Sequence, residues 1–197
     1  MCSKKFSPAS VWLSSRPYLL LKDGRVLVQV IFEDRTAQAY NMNLDGTDAR
    51  EVTQAGEGLA YGLSLSPDGS RIAFHLASPS GYQIWTSDVD GGNRVLVAAH
   101  EEYLYFGPNW SPDGEWLVSG GEDGTLRIWD SASGKELRVL KGHSSAVSTV
   151  DISRNGKKLV SGGWDHTLRI WNTGNGRNVK TCSPFFRAVF GKKINVT

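Results

Sequence analysis

The chain has 197 residues, 40% of them hydrophobic and 10% aromatic, enough to pack a core in one domain or two small ones. Twenty-two Lys and Arg against 20 Asp and Glu leave a formal charge of +2, which argues against a nucleic-acid or anionic-membrane partner held by charge. Two cysteines, Cys2 and Cys182, give no disulfide framework, and the longest early apolar run, YLLL at 18–21, is too short to span a bilayer.

The opening MCSKKFSPAS has two lysines but no apolar stretch of signal-peptide length behind them, so a reducing, cytoplasmic setting is expected. Residues 1–15 precede the first regular unit and could supply a closing strand. From there a turn signal recurs, as Asp23-Gly24, Asp68-Gly69, Asp113-Gly114 and Asn155-Gly156, in steps of 45, 45 and 42 residues. An aromatic series, Tyr40, Trp85, Trp129 and Trp171, runs beside it in steps of 45, 44 and 42.

Each period holds short β-rich runs divided by turn residues: VSTVDI, KKLVSG, TLRIWN and RNVKTC in the last one. No segment carries a helical stripe, so the expected class is all-β, with four-stranded antiparallel units at 16–58, 59–102, 103–144 and 145–182. A strand such as LRIW has apolar residues on both faces, and stacking such sheets face to face around an axis covers both. That is a β-propeller of about four blades. The tail at 183–197 contains the apolar run FFRAVF, expected either to cover the edge of the last blade or to hang free.

Residues 142–172, GHSSAVSTVDISRNGKKLVSGGWDHTLRIWN, resemble a WD repeat nearly position for position, and 111–130 resemble the end of another. Earlier stretches, LSLSPDGSRIAFHL, YQIWTSDVDGGN and NWSPDGEWLV, are similar instead to TolB-like propeller repeats, with a crossover near Gly114 to Ser119. Natural recombination, an engineered chimera and a gene fragment would each produce such a joint. Propellers of both families usually close with six to eight blades. Four blades are then a partial ring, or half of a ring that a head-to-tail homodimer completes; a tight four-blade ring closed by the N-terminal segment is the competing arrangement.

His143, Ser161 and Asp165 are the residue types of a hydrolase triad. The WD resemblance implies a structural network instead: the Trp171 indole N–H to Ser161, the Ser161 hydroxyl to His143, and His143 to Asp165. A serine oxygen occupied by an indole, with no separate oxyanion donors identifiable, is not poised to attack. The same set in the third blade is His100, Ser119, Asp123 and Trp129, but His to Ser is 19 residues there against 18 in the fourth. His75 lies inside a strand and is expected to be a packed or edge residue.

DVDGGN at 88–93 and NLDGTD at 43–48 suggest calcium at first sight, yet neither has the terminal bidentate carboxylate of an oxygen-ligand loop, and both read as hairpin turns. No metal or cofactor is expected. Trp164 occupies a blade-tip turn where the third blade has Glu122, and is either a contact anchor or packing against a neighbour. Ser145, Ala146 and Ser148 are expected beside it. The function these features support is a non-catalytic scaffold for a protein or peptide partner, with an accessory propeller of a peptidase or lyase system, or a recombined propeller without an evolved partner, as alternatives.

Overall fold

The computed structural model describes residues 18–32, 36–54, 56–100 and 105–182. Expectations for the segments 1–15 and 183–197 concern residues outside these. The described chain forms sixteen strands in four sheets, each an antiparallel meander of four consecutive strands. The first sheet holds β1 (Tyr18–Leu20), β2 (Val26–Ile31), β3 (Ala37–Met42) and β4 (Arg50–Glu51). The second holds β5 (Leu59–Leu65), β6 (Arg71–Ser78), β7 (Gly81–Asp88) and β8 (Val95–His100). β9 (Tyr105–Trp110), β10 (Trp116–Gly121), β11 (Thr125–Asp130) and β12 (Glu136–Lys141) make the third. β13 (Val147–Ile152), β14 (Lys158–Gly163), β15 (Leu168–Asn172) and β16 (Asn178–Cys182) make the fourth.

The recurring Ser-x-Asp-Gly turns are self-contained, which is why they punctuate the sequence so regularly. In the second sheet Ser66 donates to Asp68 Oδ1 at 2.6 Å, and the same oxygen accepts the Ser70 N–H at 3.1 Å. Asp113 does this for Ser111 and Glu115, and Asn155 for Ser153 and Lys157. Hydrogen bonds from Ser66 first, then from Ser70, hold the Asp68 carboxyl down to about 2. Gly69, Gly114 and Gly156 close these turns at φ of 75°, 76° and 68°, a region that suits glycine.

Three apolar layers lie between sheets, and a fourth cluster, Val26, Tyr40 and Met42 with Val28, Val30 and Phe32 packed on it, belongs to the first sheet alone. Leu27, Ala39 and Val52 of the first meet Ile72, Phe74 and Leu76 of the second. Ala73, Ile84 and Val97 of the second meet Trp110, Leu117 and Trp129 of the third. Val118, Leu126, Ile128 and Leu140 of the third meet Val147, Val150, Leu159 and Trp171 of the fourth. The fold is a β-propeller of four blades. Among the described residues no strand of the first sheet packs extensively against the fourth.

The register corrects the aromatic series. Trp129 lies opposite Leu117 and Trp171 opposite Leu159, whereas the matching partners Val26 and Ile72 face Met42 and Ser87. Tyr40 and Trp85 stand two residues earlier, at the places of Arg127 and Arg169.

Candidate functional site

The fourth blade brings four separated residues together. His143 comes from the connection between β12 and β13, Ser161 from β14, Asp165 from the β14–β15 turn and Trp171 from β15. His143 Nδ1 lies 2.9 and 3.0 Å from the two Asp165 oxygens, and its Nε2 lies 2.7 Å from Ser161 Oγ. Trp171 Nε1 donates to the same Oγ at 2.8 Å. An indole can only donate, so Ser161 accepts from Trp171, gives its own proton to His143 Nε2, and leaves Nδ1–H for the carboxylate.

Burial works against ionisation of Asp165, but hydrogen bonds from His143, the Thr167 hydroxyl and the backbone N–H groups of Thr167 and Ser144 outweigh it and hold the carboxyl well below its ordinary range. Ser161 is buried at 1% exposure. Its oxygen is shielded from any substrate and shared between two partners.

The third blade assembles differently. Ser119 accepts the Trp129 indole N–H at 3.0 Å, as expected, but His100 joins neither Ser119 nor Asp123. It ends β8 in the second sheet, opposite Tyr82. Asp123 instead holds Arg127, whose Nη2 lies 2.6 Å from Oδ2. A methyl group built on Gly121 would touch Asp123 and Arg127 Nη1, while on Gly163 it would touch Asp165 and His143 Nδ1. The guanidinium has taken the imidazole's place. A groove of about 510 Å³ opens beside it, edged by Arg127, Glu136, Val139 and Lys141.

The signal for this is the spacing of 19 residues from His100 to Ser119 against 18 from His143 to Ser161. Ala99 lies opposite Gln83 as Lys141 lies opposite Thr125, so His100 stands at the place of Gly142, one residue short of the position His143 takes.

Trp164 lies on the β14–β15 turn and is 59% exposed. Its backbone N–H donates to Ala146 O at 2.8 Å, and its ring meets Phe106 of the third blade at 6.4 Å between centroids, tilted by 49°. Glu122 is exposed at the equivalent turn, and Ser145 and Ser148 are half-buried, with Ser148 Oγ bonded to Gly162 O. Ala146 is buried, so it supports the turn and cannot itself meet a partner. Ser145 and Ala146 also precede β13 rather than lying in it.

The carboxylates of the two calcium-like stretches serve their own turns: Asp45 Oδ1 accepts from the Thr47 N–H and hydroxyl, and Asp90 Oδ1 from the Gly92 N–H. Among the described residues no three His, Cys, Asp or Glu side chains gather as a metal site, and no helix is long and apolar enough to cross a membrane.

Residues 92–130 and 134–172 match the family model of the WD domain, G-beta repeat. The β-propeller thus carries two WD repeats. Each match takes the outer strand of one sheet and the three inner strands of the next, so a WD repeat straddles two blades. The first match begins at residue 92, upstream of the expected crossover at 114–119. The chain is 43% identical over 61 residues to human "WD repeat-containing protein 86", covering 29% of this chain and 15% of that protein. It is 30% identical over 89 residues to "Cell division cycle 20.1, cofactor of APC complex" of Arabidopsis thaliana, covering 45% and 20% respectively. It is 36% identical over 125 residues to "Protein groucho" of Drosophila melanogaster, covering 62% and 16%. The chain thus spans a fifth or less of these relatives' lengths. A chain in a crystal structure of a nidogen/laminin complex superposes with a TM-score of 0.65 over 82% of this chain and 60% of its own, at 18% identity, and shares the fold.

Proposed function

We propose that the protein is a non-catalytic scaffold that binds a protein or peptide at the rim carrying Trp164. The observation that carries this is the indole itself: it is presented to solvent on a turn fixed by the Ala146 carbonyl and backed by Phe106, a rigid aromatic with a free face. Glu122, Ser145 and Ser148 are its polar surroundings. The relatives include one whose name makes it a cofactor of a complex, in keeping with such a role. A homodimer is a separate reading and rests on residues at the two ends of the sheet stack.

Affinity purification with mass spectrometry supplies the partner. Trp164→Ala is then expected to weaken that partner's binding about 30-fold, the loss of a hot-spot aromatic worth about 2 kcal/mol, with the melting temperature nearly unchanged. A fall in stability comparable to a core truncation would show that Trp164 is packing instead. Esterase or peptidase turnover that vanishes in Ser161→Ala at constant melting temperature would overturn the non-catalytic reading.

A second reading concerns the first two blades. Val28 and Phe74 stand where the WD network has its serine, so those blades hold none of that network. With the LSLSPDGSRIAFHL and YQIWTSDVDGGN stretches of the second blade this supports a TolB-like origin, hence a recombined propeller or the accessory propeller of a peptidase or lyase system. A cytoplasmic setting is part of the proposal; Cys182 is a free, exposed thiol.

A further inference from the structure

Each match to the WD repeat opens on an outer strand and continues into the innermost strand of the next sheet, and β16 is an outer strand like β8 and β12. The innermost strands keep a register: Leu65, Trp110 and Ile152 lie opposite Ile72, Leu117 and Leu159, in steps of 45 and 42 residues. A further step of 42 falls on Ile194. The same step carries Ala146 to Ala188 and Val147 to Val189, so VFGKKI at 189–194 stands in line with YFGPNW of β9 and VSTVDI of β13. Gly191 follows Phe190 as Gly62 follows Tyr61 and Gly107 follows Phe106, and those two glycines sit at φ of 66° and 51°. Four residues separate β8 from β9 and five separate β12 from β13; six separate β16 from Val189. Phe185 takes the place of His143, so the polar network of the fourth blade is not repeated.

The surface that such a segment would meet is marked on the fourth blade. In the junction before it, β13 packs chiefly along β9 and β10. Asn109 is half-buried there and Val118 buried, and Asn109 Nδ2 donates to Val150 O at 2.7 Å. On the fourth blade the same places are held by Asp151, which is exposed, and Val160, which is half-exposed. Asp151 Oδ1 accepts the N–H of Ile152 at 2.8 Å, and the carboxylate forms no ion pair among the described residues. A carboxylate cannot donate as Asn109 does. The step of 42 carries Val150 to Lys192, which replaces a carbonyl facing an amide by an ammonium facing a carboxylate.

We infer that residues 188–194 lie as an extended segment along β13 and β14 of their own chain, with Val189 and Ile194 against the fourth blade and Lys192 paired with Asp151. Val160 is then covered as β13 covers Val118. Leu168 and Ile170, one strand farther out on β15, keep their partial exposure. The free edge of the segment faces water, which satisfies its N–H and C=O groups. The placement rests on spacing and charge and is the same whether or not further residues follow Thr197. It uses none of the residues proposed to meet a partner.

Limited trypsin digestion of the full chain, read by mass spectrometry, follows cleavage after Arg187, which a docked segment protects. Ile194→Asp is expected to speed that cleavage about tenfold, since cleavage tracks the undocked population, while the circular dichroism of the parent is kept. Asp151→Lys and Lys192→Asp are each expected to speed it about threefold, the scale of a surface ion pair, and the two together to restore the parent rate. The parent rate is expected to be the same at every protein concentration. Should Ile194→Asp lose the parent's circular dichroism, the charge pair decides alone. A parent cleaved as fast as Ile194→Asp, or a charge-swapped double variant no slower than the single ones, would overturn the docking. Protection that fades on dilution would place the segment on a second copy and overturn it equally.

Discussion

The third and fourth blades read SGGEDGTLRIWD and SGGWDHTLRIWN, and they share strands, turns and the serine–tryptophan hydrogen bond. They differ in what comes to them from outside. The chain entering the fourth blade delivers His143 to Ser161 and Asp165, while the chain entering the third delivers no histidine, and Arg127 closes on Asp123 instead. On the far face, Leu126 and Ile128 are buried, whereas Leu168 and Ile170 of the same sequence are half-exposed. Local sequence sets the blade. Its neighbours set which of its groups are buried and how its polar atoms are satisfied.

The broadest way to break the comparison is one truncation made in both copies. Leu126→Ala removes a fully buried side chain between two blades and is expected to cost about 2–5 kcal/mol, the range for core leucines. Leu168→Ala, half-exposed, is expected to cost about 1 kcal/mol or less, since much of its surface already faces water in the folded chain. Urea unfolding of the two variants, taken with the parent as monomers, checks this. Equal losses would mean that Leu168 is covered as thoroughly as Leu126.

The second blade sharpens the contrast at the place of Gly120 and Gly162, where it carries His75. A Cβ on Gly120 would collide with the Val147 backbone, so the third junction admits no side chain there. The second keeps an imidazole stacked on Tyr61 at 5.0 Å between ring centroids, with both ring nitrogens lacking a hydrogen-bond partner. Burial pushes its pKa down to about 3. The unfolded chain takes up this proton below about pH 6.5 and the folded one does not until near 3, so stability falls as pH drops through that window. At pH 5 the loss is about 2 kcal/mol at 1.36 kcal/mol per unit. His75→Leu is expected to flatten the change in melting temperature between pH 7 and 5. A variant with the parent's slope would assign the acid sensitivity elsewhere.

Much of this was legible because the decisive features are local. The Asp-Gly turns repeat since each binds its own backbone, and the four-residue network of the fourth blade is contained within 142–172. What escaped the sequence were features set by distant chain. His100 has the right identity but stands one residue early, at the place of Gly142, and lies at the end of β8 opposite Tyr82. Ala146 looks like surface in a run of serines, yet its carbonyl anchors Trp164 and its methyl is buried. The burial of Leu126 against the exposure of Leu168 is invisible in two identical tetrapeptides, TLRI, because it depends on what stands beyond the blade.

The smallest expected difference tests the polar networks themselves. Ser119→Ala takes one acceptor from the Trp129 indole, whereas Ser161→Ala takes an acceptor from Trp171 and a donor from His143 Nε2 together. Both sites are buried at 1% exposure, so water replaces neither bond in the folded state. A net buried hydrogen bond is worth about 1 kcal/mol, and the two serine variants should therefore differ by about that amount, with Ser161→Ala the costlier. The imidazole can rotate or change tautomer to recover part of the loss, which caps the difference and distinguishes it from a packing effect: Ser161→Cys, of similar shape but a weaker donor, should fall between the parent and Ser161→Ala in stability. Chemical denaturation of the parent and the three variants measures this directly. If Ser119→Ala costs as much as Ser161→Ala, the arginine in the third blade is coupled to its serine as tightly as the histidine is in the fourth, and the two networks are equivalent after all.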